Sequence, residues 1–238
     1  MKLYHCADAR SLRPLWAIEE MGIDCELVVL PFPPRARDKS FLEENPLGTV
    51  PLLVDGSTRM TESAAICDYL GHRFGSSELI VGPEEPGYGA YLNGLHQGEA
   101  TLTFPLTLVL RYGRFEPAER QLPSVVEDYG QWFLARLRTL AATLEREPFA
   151  AAGRFTMADI SIGYALFLGR AVGLSARYPA TVSAYLDRLL ALATRALLLL
   201  GGAAFVGLID RRDRRASRDR SGQIDIGRGR GGCRSFLS

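Results

Sequence analysis

Lysine is nearly missing from this 238-residue chain, which carries two against 26 arginines. Such a bias fits a GC-rich coding sequence and has little chemical meaning. Cysteine is sparse as well. The four present, Cys6, Cys25, Cys67 and Cys233, make neither a CxxC pair nor a metal-ligand spacing, which argues against a paired-thiol redox motif and a zinc site. No signal peptide precedes Lys2-Leu3-Tyr4, so the expected setting is the reducing cytoplasm. Long apolar runs are also wanting. The longest, Ala196 to Ile209, has about 14 residues and is broken by Gly201-Gly202, whereas a bilayer span needs roughly 20. No membrane partner is expected. Neither a Gly-rich phosphate loop nor a His/Cys/Asp cluster occurs, which argues against a nucleotide or metal enzyme. A net charge of +1 argues against nucleic acid.

What is present is 47% hydrophobic content, enough for one large domain or two small ones. The most informative stretch runs from Asn45 to Ser63, NPLGTVPLLVDGSTRMTES. Pro51 opens the apolar run PLLV, which ends at the turn signal Asp55-Gly56. A proline at a strand start marks an edge, a bulge or a cis bond. A cis bond there would turn the Val50 N–H and C=O outward, where an extended ligand can pair with them as an added strand. After the turn, Ser63 stands at the start of a helical pattern carrying Ile66, Tyr69, Leu70 and Phe74. A helix N-terminus suits a carboxylate, and Glu62 beside it suits an ammonium group. The pair reads either as a clamp for a zwitterion or as a plain helix start.

The rest of the chain supplies a frame. Lys2 to Cys6 predicts a strand. Leu12 to Met21 predicts a helix, with Pro14 tolerable in its first turn and Gly22 as the stop. Cys25 to Pro31 predicts a second strand, and Arg35 to Glu44 a short irregular helix. With the Leu52 strand, the Asp55-Gly56 hairpin and the helix from Ser63, the order is β-α-β-α-β-β-α. That is the order of a thioredoxin-like domain with a four-stranded mixed sheet. The composition of Gly75 to Gly87 predicts a linker. Beyond it, repeated helical periodicity predicts an all-α domain, with Phe155-Thr156-Met157-Ala158-Asp159-Ile160 as a capping box at the start of a buried helix. The expected division is 1–75, 76–87 (linker), 88–192 (helical) and 193–238 (tail).

The run NPLGTVPLLVDG followed by TES-AAI resembles the glutathione-binding segment of the glutathione S-transferase superfamily. RSLRPLWAIEE resembles a stretch of its bacterial cytosolic members, and FTMADI resembles the capping box of their second domain. The resemblance covers residues 1 to about 190. It implies an N-terminal thioredoxin-like domain followed by a helical bundle, glutathione as co-substrate and a homodimer. It also implies that Val50 and Pro51 pair with the cysteinyl backbone of glutathione, while Glu62 and Ser63 hold its γ-glutamyl group. The implied activity joins the glutathione thiolate to a small hydrophobic electrophile. Ala9 falls where many relatives carry the activating Ser or Cys. Thiol activation is therefore assigned to Ser11, which also reads as a helix cap, to Arg10, or to nearby backbone N–H groups. Leu106, Leu110 and Tyr112 are candidates for the electrophile pocket, and Arg13 is expected to pair with a carboxylate across the domain.

Two other functions fit the same residues. Cys6 would serve a glutathione-dependent thiol-disulfide oxidoreductase or peroxidase, although a strand cysteine is commonly buried. Ala9 favours a non-catalytic glutathione-binding or interaction module. Residues 210 to 238 hold nine Arg and four Asp, a net of +5, leaving −4 for residues 1 to 209. This Arg-rich ending departs from the superfamily pattern after Ala191. It reads as a frameshifted segment or as a basic appendage for anionic partners.

Overall fold

The computed structural model describes residues 1–75 and 78–199. Met1–Leu200 form one compact unit. The Arg-rich ending and Cys233 lie outside the described residues, and so does the question of a frameshift.

The first half is an α/β layer. Strands β1 (Lys2–His5), β2 (Glu26–Val29), β3 (Leu52–Asp55) and β4 (Thr58–Met60) stand in the order β2-β1-β3-β4. β1 runs parallel to β2 and antiparallel to β3, with Leu3 opposite Leu53 and Tyr4 opposite Leu52. The two-residue side-chain period then sorts the faces. Tyr4, Cys6 and Leu52 join Leu30 and Phe41 in one buried cluster. Helix α1 (Leu12–Met21) ends as expected at Gly22, which adopts the left-handed φ of 62°. The Gly22 and Ile23 N–H groups close back on Glu19 and Ile18, satisfying carbonyls that the helix end would strand. Where one irregular helix was expected, two single turns occur, α2 (Pro34–Arg37) and α3 (Phe41–Glu44). Helix α4 (Ser63–Arg73) follows β4 and packs on α1.

The second half is helical. Helix α5 (Tyr88–His96) continues through a π-helical segment, Gln97–Thr103, into α6 (Phe104–Leu110) and a second such segment, Arg111–Phe115. Helices α7 (Pro123–Leu144), α8 (Met157–Ala171) and α9 (Ala180–Leu199) complete it. Helix α8 is buried along most of its length, and the Thr156–Asp159 capping box is formed. The Asp159 carboxylate also accepts from Ala150 N–H and the Tyr185 hydroxyl, so a buried charge has its acceptor sites filled. Among the described residues, no helix is long and apolar enough to cross a membrane.

The segment expected to be a linker is docked. Arg154 donates to the carbonyls of Glu78 and Ile80 and to the Glu85 carboxylate. The Met157 N–H donates to Leu79 O at 2.7 Å. Ile80 lies so close over Gly71 that a β-carbon there would stand 2.2 Å from it. Polar composition correctly marks a connection, but here its backbone carbonyls are gripped by an arginine 70-odd residues away, which local sequence does not disclose.

Candidate functional site

The Asn45–Ser63 stretch is organised locally. The Asn45 side chain donates to Thr49 O at 2.8 Å and accepts from the Leu47 N–H at 3.2 Å, bracing the loop ahead of Val50. Gly48, with φ of 60°, passes close to Arg35: a β-carbon would stand 2.6 Å from the arginine's own. The Val50–Pro51 bond is cis. Val50 is half-buried and precedes the first ladder position, Leu52. Glu62 is the residue before α4, extended and exposed. Ser63, the first helical residue, is 3% exposed.

Ser63 is held from behind. Its hydroxyl accepts from Arg13 Nη1 at 3.1 Å. Arg13 lies fully buried in α1, and its guanidinium also donates to Ser161 O, Gly98 O and Thr103 Oγ1, at 3.1, 3.1 and 2.7 Å. The expected carboxylate partner is Glu99, in a short ion pair with Arg13. Arg13 also stacks on the Tyr164 ring at 4.3 Å. A buried guanidinium is tolerable only when its donors are satisfied and its charge is matched. Here the π-helical segment supplies both. This segment brings Gly98, Glu99 and Thr103 to one arginine, in line with the frequent occurrence of such segments at functional sites. The N-terminal end of α4 is thereby tied to the helical half.

The candidates for thiol activation fare differently. Arg10 is not a solvated loop residue. Its Nε donates to Glu99 at 2.5 Å and its Nη2 to Thr107 at 2.9 Å. Ser11 makes no capping bond to α1. Fully buried, its hydroxyl accepts from the Cys6 N–H at 3.2 Å and lies 2.9 Å from His5 Nδ1. It faces the sheet, which corrects the expectation of a cap or a hydroxyl reaching a ligand: the loop turns it inward to satisfy the end of β1. Cys6 is 0% exposed, and burial pushes its thiol up to about 11. A thiol so masked is unfit for exchange chemistry, which needs an accessible thiolate. That corrects the oxidoreductase reading. Ala9 packs against the Tyr4–Cys6 cluster. At the start of α1 the Leu12 N–H donates to Ala9 O and the Arg13 N–H to Arg10 O, and Pro14 has none, so any backbone donor near the site belongs to the loop itself.

Leu106 is fully buried in the helical core, whereas Leu110 and Tyr112 are half-buried. Sequence periodicity did not reveal Phe32 and Phe115, whose rings meet at 5.7 Å while remaining 52% and 60% exposed. They come from the two halves of the fold. The chain entering Phe32 runs beside the end of β1, since the Cys6 thiol reaches Pro31 O at 3.9 Å. Glu99 was missed as well. The available signal was a lone carboxylate in the weakly polar run from Gly98 to Leu110, facing a lone arginine at the start of an apolar helix.

A thioredoxin-like layer joined to a helical half defines the class of fold. Residues 3–78 match the family model for the glutathione S-transferase N-terminal domain. The chain is 32% identical to glutathione S-transferase 3 of Schizosaccharomyces pombe, over 42% of this chain and 41% of that protein. It thus spans about two-fifths of that relative. It is 28% identical to glutathione S-transferase 3 of Zea mays, over 62% and 68%. A sphingomonad glutathione S-transferase solved with glutathione superposes with a TM-score of 0.69 at 26% identity, covering 79% of this chain and 92% of that one. Residues 3–78 thus match the glutathione S-transferase N-terminal domain, and the chain shares the fold of solved glutathione transferases.

Proposed function

We propose that the protein is a glutathione transferase acting on small hydrophobic electrophiles. In this reading the Val50 backbone pairs with the cysteinyl unit of glutathione beside Pro51. Glu62 takes the γ-glutamyl ammonium group, and Ser63 with the α4 N-terminus takes the carboxylate. The thiol lies over the loop after β1, where the loop's backbone N–H groups and the positive end of α1 favour the thiolate. Its proton leaves to solvent. The sulfur lone pair then forms a bond to the electrophilic carbon, and a leaving group departs with the electrons of its own bond. Phe32 and Phe115 serve as an apolar wall for the electrophile.

The observation that carries the reading is the buried Arg13 guanidinium donating to Ser63 Oγ, because it fixes and polarises the hydroxyl at a helix N-terminus beside an exposed carboxylate. A hydrogen bond to a charged group is worth about 1.5–3 kcal/mol. Ser63→Ala is therefore expected to weaken glutathione binding roughly tenfold or more, with a smaller effect on kcat, in an absorbance assay of conjugation to a simple aromatic halide. Unchanged binding would contradict the assignment. Ala9 favours a second reading, a module that binds glutathione without turning it over, and the same assay separates the two. The reading includes a cytoplasmic homodimer. The exposed Phe104 and the stacked Tyr129–Trp132 pair give a second copy an apolar surface, and sedimentation of the protein checks it.

A further inference from the structure

The loop that would hold the thiol is gripped from the helical half by one hydroxyl. Tyr164, on α8, is 3% exposed and donates to Asp8 O at 3.2 Å. Asp8 is exposed and takes a left-handed φ of 60°. This conformation costs a non-glycine residue roughly 1 kcal/mol, though aspartate tolerates it better than most. Two residues on, Arg10 is held by Glu99 and Thr107. One helical turn before Tyr164, Ser161 O accepts from Arg13. The loop is thus anchored at both ends, and at Asp8 the anchor is the tyrosine.

We infer that Tyr164 is a positioning residue: its hydrogen bond to the Asp8 carbonyl fixes the loop so that the loop's own backbone N–H groups point at the glutathione sulfur. This rests on the transferase reading above. Burial pushes the Tyr164 phenol up to about 12, so it stays a donor throughout the working pH range. A plainer role exists for the same bond, since a buried tyrosine hydroxyl needs some partner. That role predicts a stability cost without a change at the sulfur.

The test is the pKa of bound glutathione, read from thiolate absorbance in wild-type protein and in Tyr164→Phe, each saturated with glutathione. Phenylalanine keeps the ring under Arg13 and removes only the donor. The expected result is a bound thiol well below the free value in wild type. In the variant it rises by about half a unit to one unit, a roughly threefold to tenfold loss of thiolate at pH below that pKa. The pH profile of kcat/KM should move with it, while glutathione Kd measured at pH below the bound pKa stays within about twofold. A variant that binds glutathione with the same thiol pKa as wild type would overturn the inference and leave the transferase reading standing. A wild-type protein that does not bind glutathione, or binds it without lowering the thiol pKa, would overturn both. Should Tyr164→Phe fail to fold, Asp8→Ala and Asp8→Asn are compared. Both lack the carboxylate, but alanine resists the left-handed backbone more. A higher thiol pKa in the alanine variant supports the inference, and equal values overturn it.

Discussion

At the scale of single residues, burial decides what each candidate can do. His5 illustrates this. Desolvation pulls its imidazole down to about 4 from the ordinary 6.5, only partly opposed by its contact with Ser11. Because the folded value lies below the unfolded one, protonation favours the unfolded chain. The His5 contribution is fully present above about pH 6.5 and lost as pH falls toward 4, roughly 3 kcal/mol at most. Urea unfolding of wild type and His5→Gln across that window should show a shallower acid loss in the variant. Parallel pH curves would contradict this. Ser11 and Cys6 teach the same lesson. Their chemistry was readable from residue type, but whether they face a ligand depends on which way the six-residue loop between β1 and α1 turns. The cis bond after Val50 and the helix start at Ser63 were legible because they rest on local rules for strand starts and helix starts.

At the scale of elements, the π-helical segment Gln97–Thr103 is the least legible part and the most consequential. Helical periodicity identified the region, yet the apolar pattern does not distinguish an α-helix from one widened by a residue per turn. The reason for the widening lies elsewhere, in Arg13 and Ser161, which the Gly98–Glu99 backbone must approach. A β-carbon on Gly98 would stand 2.3 Å from Ser161 Oγ and 2.5 Å from its carbonyl carbon. Gly98→Ala should therefore push α8 away and loosen the Arg13 cluster, costing about 1–3 kcal/mol or more in a urea titration. An effect within about 0.5 kcal/mol would show that the segments are not so tightly packed. By contrast the capping box of α8 was fully legible, since its four residues are contiguous and satisfy each other.

For the molecule as a whole, the α/β and helical halves share polar contacts as well as apolar ones. Arg13 with Glu99, Arg10 with Thr107, Tyr164 with Asp8 and Arg154 with the segment at 78–85 all cross between them. Removing one partner of a buried pair costs several kcal/mol, so neither half should survive separation intact. Unfolding followed by far-ultraviolet circular dichroism and by the fluorescence of Trp16 and Trp132, one in each half, should give coincident transitions. Separate midpoints would mean that the halves are independent. The order of elements in both halves was legible in the sequence. How tightly the halves are joined was not, because each joining pair lies about 70 to 160 residues apart.

The central claim is that the Val50–Ser63 grip, backed by Arg13, binds glutathione. Calorimetric titration of glutathione into the full chain, alongside Ser63→Ala and Glu62→Gln, tests it most directly. The account predicts saturable binding by the wild-type protein and roughly tenfold weaker binding by each variant. No binding by the wild type, or equal binding by all three, would contradict it.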